Sequence, residues 1–105
     1  MHIPNLISLA EFSDAGPNKK VLYDTPELKS ILVSLKSGQD IPAHTTSSEV
    51  VMHVVSGEGS FYKGSDVPDV KEGALVVCGP NEPHGIKAKT DMVVLVAKVP
   101  GDARA

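Results

Sequence analysis

Short apolar runs, rich in valine, alternate along this chain with turn signals. The nine glycines and eight prolines fall mostly between these runs, where such residues favour turns. No segment repeats apolar residues at the 3.6-residue period of a long amphipathic helix. The pattern therefore predicts an all-β sandwich or barrel, with strands at 20–24, 28–36, 41–45, 49–55, 59–63, 69–71, 74–78, 84–89 and 91–99.

The best candidate for a helix is the N-terminal segment Asn5–Phe12. It is so short that an extended conformation fits it equally well. We find no repeat, low-complexity segment or second domain. A length of 105 residues suits one domain with one core, so we predict a single domain over 1–105, with the barrel at about 20–99.

Composition narrows the function classes. The chain carries 10 basic and 13 acidic residues, well mixed, for a net charge of −3, and this argues against nucleic acid as a partner. No apolar run approaches the roughly 18 residues of a membrane span, and the N-terminus does not resemble a secretory signal. Cys78 is the single cysteine and excludes an internal disulfide. We expect a cytoplasmic protein with no membrane partner.

Two glycine-anchored segments, 38–59 and 73–88, carry a specific spacing. Five residues separate Gly38 from His44, and twelve separate His44 from Gly57. In the second, Gly73 is followed after ten residues by His84. Together they resemble the two sequence motifs of the cupin superfamily, in particular its small single-domain members. The first family motif reads Gly, five residues, His, one, His, three or four, Glu, six, Gly; the second reads Gly, five, Pro, one, Gly, two, His, three, Asn. The resemblance implies a double-stranded β-helix, or jelly roll.

Departures from these motifs fall on the metal ligands. In the family, a metal is usually held by the two His and the Glu of the first motif and the His of the second. His44 and His84 keep the first and last of these positions, whereas Thr46 and Val50 replace the other two. The resemblance thus implies a site for Fe, Mn, Ni or Zn with an incomplete ligand set. In the turn of the second motif Asn81 replaces a glycine, which is acceptable because Asn tolerates the left-handed conformation.

Strand geometry extends this picture to the pocket. Residues two apart on a strand share one face, so Thr46 faces inward if His44 does, and Val50 and Met52 follow on the next strand. His84 then converges on His44 from a later strand. The predicted pocket residues are Thr46, Val50, Met52 and Cys78, although Met52 and Cys78 suit a plain core position as well.

An alternative register completes the ligand set. Glu49 and His53 are four residues apart and share a strand face. A one-residue bulge before Glu49 would turn that face inward and yield four ligands: His44, Glu49, His53 and His84. Without the bulge both residues face outward, where His53 would pack in a dimer interface.

Three functions stay open. The resemblance implies a metal-dependent enzyme, such as a dioxygenase or isomerase. A second hypothesis is a non-catalytic, metal-free domain that binds a small organic ligand, for example an acid. The third is a metal-free enzyme with a histidine base, for which Glu82 is the nearest carboxylate in sequence. The resemblance also implies a homodimer, with Val21–Tyr23 and 28–36 as candidate interface segments.

Overall fold

The computed structural model describes residues 1–101, and the last four residues of the predicted 1–105 domain lie outside that part. It contains nine strands: β1 Asn18–Asp24, β2 Lys29–Leu35, β3 Asp40–His44, β4 Glu49–Ser56, β5 Glu58–Lys63, β6 Asp69–Lys71, β7 Leu75–Cys78, β8 His84–Ala88 and β9 Met92–Val99. Every predicted strand is present, and its bounds agree with the prediction to within two residues.

The strands form two antiparallel sheets, in the orders β1-β2-β9-β4-β7 and β3-β8-β5-β6. Among residues 1–101 the chain passes from the first sheet to the second three times, and the passage between β4 and β5 is at Gly57. Gly57 has a φ of 84°, and a Cβ there would lie 2.1 Å from the carbonyl oxygen of Asp91. Only glycine fits this corner. The predicted all-β, double-stranded β-helix is confirmed.

Alternating side chains of the two sheets meet between them and form the core. On β4, Val50, Met52 and Val54 are buried, whereas the residues between them are more exposed. The inward direction predicted for Val50 and Met52 is therefore correct. A side chain of this size contributes about 1.5–3 kcal/mol when fully buried, so a one-residue slip of β4 would lose several such contributions.

The N-terminal segment covers part of the outer face of the first sheet. Leu32 and Ser34 lie on that face and are only 1% exposed, and the backbone N–H of Glu11 donates to Ser34 Oγ at 3.2 Å. Within the described residues, helical structure is confined to a 3-10 turn at Leu6–Leu9, which is shorter than the predicted Asn5–Phe12. No helix within residues 1–101 is long and apolar enough to cross a membrane.

Candidate functional site

His44 and His84 lie directly opposite each other on the paired strands β3 and β8. Their ring centroids are 4.4 Å apart, and the ring planes are inclined by 56°. Gly85 allows this close approach, because a Cβ there would lie 2.4 Å from the carbonyl oxygen of Ile41 on β3. The predicted convergence of the two histidines is thus observed.

Backbone carbonyls orient both rings. His44 Nδ1 lies 3.0 Å from the carbonyl oxygen of Pro42, and His84 Nδ1 lies 3.1 Å from that of Glu82. A carbonyl oxygen only accepts hydrogen bonds, so each Nδ1 carries a proton and donates it. In the neutral ring, Nε2 then keeps its lone pair and acts as an acceptor.

His84 Nε2 is a buried acceptor without a donor. The His84 side chain is 4% exposed, and its Nε2 finds no hydrogen-bond partner among residues 1–101. Burial is the main reason that the pKa of His84 is lowered; the nearby His44 and Lys98 lower it further, against the raising effect of the Glu82 carbonyl. The ring is therefore neutral at neutral pH. A buried polar atom left unpaired in this way suggests a missing ligand or water.

A cavity of about 40 Å³ adjoins the two histidines. It lies between the sheets, beside β1 and β3, which are the edge strands of the two sheets. A water molecule needs roughly 10–15 Å³ on this measure, so about three waters, or a small ligand group, fit. The lining residues are Lys19, Ile31, Val33, Ile41, His44, Met52, His84, Gly85, Ile86, Val96 and Lys98. Apart from the histidines and lysines, these walls are mostly aliphatic.

The loop before His84 is held on both sides. Glu82 pairs with Lys63 at 3.0 Å and accepts the backbone N–H of Gly79 at 3.0 Å. These two contacts, the Gly79 N–H foremost, lower the pKa of Glu82. Across the loop, the Asn81 N–H donates to the Thr46 carbonyl at 2.8 Å. Asn81 has a φ of 64°, in agreement with the left-handed conformation expected there. The Glu82 carboxylate is thus engaged by Lys63 and Gly79.

The predicted pocket residues separate into two groups. Met52 lines the cavity, whereas Thr46, Val50 and Cys78 do not line it within the described part of the chain. Thr46 is buried and its Oγ1 accepts the Ser48 N–H at 3.3 Å. Val50 and Cys78 are neighbours across β4 and β7 in the core. Burial raises the pKa of Cys78, which keeps it a thiol.

Glu49 and His53 face away from the histidine pair. β4 pairs with β9 in a regular register from Glu49 to Val54, and the register shifts only between Val54 and Ser56. Val50, Met52 and Val54, on the opposite face of β4, are buried in the core, so the inward orientation of Glu49 and His53 that the four-ligand alternative requires is not observed. Glu49 is exposed. His53 Nδ1 instead lies 3.2 Å from the carbonyl oxygen of Ala74.

Lys19 and Lys98 are pocket residues that the sequence motifs do not indicate. Lys98 follows Val94 and Val96 at two-residue spacing on β9, and all three face the interior. That alternation was the available signal, because a lysine in phase with buried valines must extend its side chain along the inner face.

The donor set does not fit a resident divalent metal ion. Two imidazole nitrogens are available, but protein sites usually offer three or four ligands. Within residues 1–101 no group of three His, Cys, Asp or Glu side chains has the geometry to hold a metal. Lys19 and Lys98 line the same cavity, and their positive charges disfavour a bound cation.

A larger surface groove lies elsewhere, along β5, β6 and β8, with a volume of about 560 Å³. Its rim carries exposed charges of both signs, for example Glu58, Asp69 and Lys87. It contains no buried polar atom without a partner in the described part of the chain. The smaller cavity at the histidine pair is therefore the better candidate site.

Comparison with known proteins gives a family and a fold. A sequence model of the cupin-domain family matches residues 31–98. No curated protein matches the chain significantly.

Solved structures with the same fold are numerous. An RmlC-like cupin protein from Desulfovibrio desulfuricans is 32% identical with a TM-score of 0.86, and the match covers 95% of this chain and 97% of that one. An uncharacterized double-stranded β-helix protein from Klebsiella pneumoniae is 21% identical with a TM-score of 0.90, over 99% and 94% of the two chains. A salicylate 1,2-dioxygenase from Pseudoaminobacter salicylatoxidans is 15% identical with a TM-score of 0.76, over 89% of this chain and 29% of the enzyme. At this identity the enzyme shares the fold alone.

Proposed function

Since this chain belongs to the cupin family, we propose that it binds a small organic molecule between its two sheets and does so without a resident metal ion. The observation that carries the proposal is His84 Nε2, a buried acceptor without a donor beside an apolar cavity. Ligand sites combine apolar walls with a few fixed polar groups in this way.

The histidine pair determines which ligand groups fit. Because His84 Nδ1 is engaged by the Glu82 carbonyl, Nε2 accepts an O–H or N–H of the ligand. His44, whose ring is 4.4 Å away, offers a second acceptor of the same kind. The aliphatic walls supply contact for a short carbon chain. The ligand is therefore a small molecule with a hydroxyl or amide donor and a short apolar part.

Metal content tests the metal-free half of the proposal. Untagged wild-type protein, a His44→Ala/His84→Ala variant and a His53→Ala control, which alters the outer face, are analysed for Fe, Mn, Ni and Zn after each metal is supplied. We expect the same substoichiometric content in all three proteins. Near-stoichiometric metal in the wild type and in the control, lost in the double variant, would overturn this half.

Binding is tested with a neutral probe, 2-hydroxybutyramide, which carries a hydroxyl donor and a short chain. We expect saturable changes in the NMR signals of the Met52 methyl group and the His84 imidazole of the wild type, and no change in the Met52 methyl signal of the His44→Ala/His84→Ala variant. Unchanged wild-type signals at every probe concentration would contradict the proposal.

A further inference from the structure

The cavity has a cationic rim that the histidines alone do not explain. Lys19 and Lys98 both line it. Lys98 lies opposite Lys29 on β2, so a third positive charge adjoins the rim. Lys98 and Lys29 extend from the inner face of the first sheet at the end where β8 begins with His84, whereas Lys19 lies opposite Val33, further along β2, and lines the cavity from β1.

None of these three lysines forms an ion pair with an acidic side chain within residues 1–101, although Asp24 on β1 is the cross-strand neighbour of Lys29. The ion pairs there join other residues: Lys20 with Glu11, Lys36 with Asp14 and Lys63 with Glu82. Burial, followed by the charges of Lys19 and Lys29, lowers the pKa of Lys98. The cross-strand partners of Lys98 are Lys29 and Val50, and that of Lys19 is Val33, so in the described part of the chain no acidic residue lies opposite either of the two lysines that line the cavity. Their like charges repel each other, and a bound anion would relieve the repulsion.

We infer that the ligand is a small hydroxycarboxylate, whose carboxylate is bound by Lys98 and Lys19 and whose hydroxyl donates to His84 Nε2. The inference rests on the proposed function, because it assigns the ligand of the same cavity. An ammonium group pairs with a carboxylate as a charge-assisted hydrogen bond, while neutral His84 accepts only from a donor such as a hydroxyl.

The walls favour a carboxylate over inorganic phosphate. Ile31, Val96 and Ile86 are among the aliphatic residues that surround the polar groups, and a carbon chain gains free energy by contact with them. Inorganic phosphate has no apolar part that could contact these aliphatic walls. The cavity of about 40 Å³ also holds only a few heavy atoms, so the ligand must be small or extend beyond the cavity.

A competing explanation is that Lys98 has a packing role only. Its aliphatic stem would then cover the apolar interior near Val50, with the ammonium group in solvent. This explanation and the inference differ in the effect of Lys98 on the affinity for an anion.

The experiment compares 2-hydroxybutyrate with 2-hydroxybutyramide and inorganic phosphate, by NMR titration of the wild type and of Lys98→Met, Lys98→Arg and Lys87→Met. Lys87 lies on β8 and is exposed in the other groove, so its variant is a matched control. Thermal unfolding verifies that each variant is folded.

We expect 2-hydroxybutyrate to bind at least about tenfold more tightly than its amide, as one charge-assisted hydrogen bond implies. Lys98→Met should lower the affinity for 2-hydroxybutyrate by about tenfold and leave the affinity for 2-hydroxybutyramide unchanged. Lys98→Arg should retain most of the affinity for 2-hydroxybutyrate, and Lys87→Met should retain all of it.

Equal affinity for carboxylate and amide would overturn the inference while the proposed function stands. If Lys98→Met leaves the affinity for 2-hydroxybutyrate unchanged, Lys98 has a packing role only, and its assignment as a carboxylate-binding residue is overturned. Phosphate binding as tightly as the carboxylate would overturn the hydroxycarboxylate assignment. If neither organic probe binds, the proposed function fails as well.

Discussion

The interior of this barrel has two unlike ends on the same strands. On β9, the inward-facing residues run from Met92, which is fully buried, to Lys98, which lines the cavity. On β8 they run from Ala88 to His84. We call the first end the closed end, formed around Leu35, Phe61 and Met92, all fully buried. The second, around His44, His84 and Lys98, is the open end. One period-2 pattern therefore provides close packing at one end and unsatisfied polar groups at the other.

The two ends differ in what they contribute to the free energy of folding. Close packing at the closed end is stabilising, and Gly59 even brings the backbone of β5 within reach of β8 and Met92. At the open end, an unpaired buried nitrogen costs about 1–3 kcal/mol. Stability is concentrated at the closed end, which leaves the open end available for a ligand.

The largest effect should come from truncation at the closed end. Phe61→Ala is expected to lower the free energy of unfolding by about 3–5 kcal/mol, through lost burial and a new cavity. Urea unfolding measures the change. The matched control is Phe12→Ala, since Phe12 is 41% exposed, and it should cost much less. Similar losses in the two variants would contradict the contrast between a packed interior end and the surface.

A smaller loss of stability is expected when Asn81, in the loop at the open end, is replaced. Asn81 has a φ of 64°, a conformation that costs most L-residues about 1–2 kcal/mol. Asn81→Ala should destabilise the protein by about that amount, while Asn81→Gly should be neutral or slightly stabilising. Thermal unfolding distinguishes the two. Equal losses would point to the Asn81 side chain rather than to its backbone conformation.

The smallest expected effect is a dependence of protein stability on pH that arises from His84. His84 has a pKa below its ordinary value of 6.5, so below that pH the unfolded chain binds more protons than the folded one, and stability falls as the pH falls. We expect urea midpoints to decrease from about pH 7.5 to about pH 5.5. His84→Gln should flatten this slope, whereas His53→Gln, on the outer face, should keep it. An unchanged slope in His84→Gln would mean that other groups cause it.

The fold was largely predictable because its signals are local. Valine-rich runs between glycine-containing turns mark all nine strands. The spacing of the two motifs also predicted that His44 and His84 lie close together. The register of β4 followed from burial alone: three inward apolar residues outweigh any gain from turning Glu49 and His53 inward.

The cavity was harder to predict, since it depends on distances between sheets. Thr46 lies beyond the end of β3 at His44, so strand alternation no longer applies to it. Val50 and Cys78 pack against each other across β4 and β7, away from the lining. Lys98 continues the inward alternation of Val94 and Val96 on β9, but strand alternation does not tell how far the long side chains of Lys19 and Lys98 reach into the cavity.

β1 is an edge strand of the first sheet, and its Val21 and Tyr23 are 51% and 43% exposed. The predicted homodimer remains a prediction. If a second copy paired along this edge, it would lie beside Lys19, which β1 contributes to the cavity lining. Assembly and ligand access would then be coupled, with a ligand exchanging more slowly in the dimer than in the monomer.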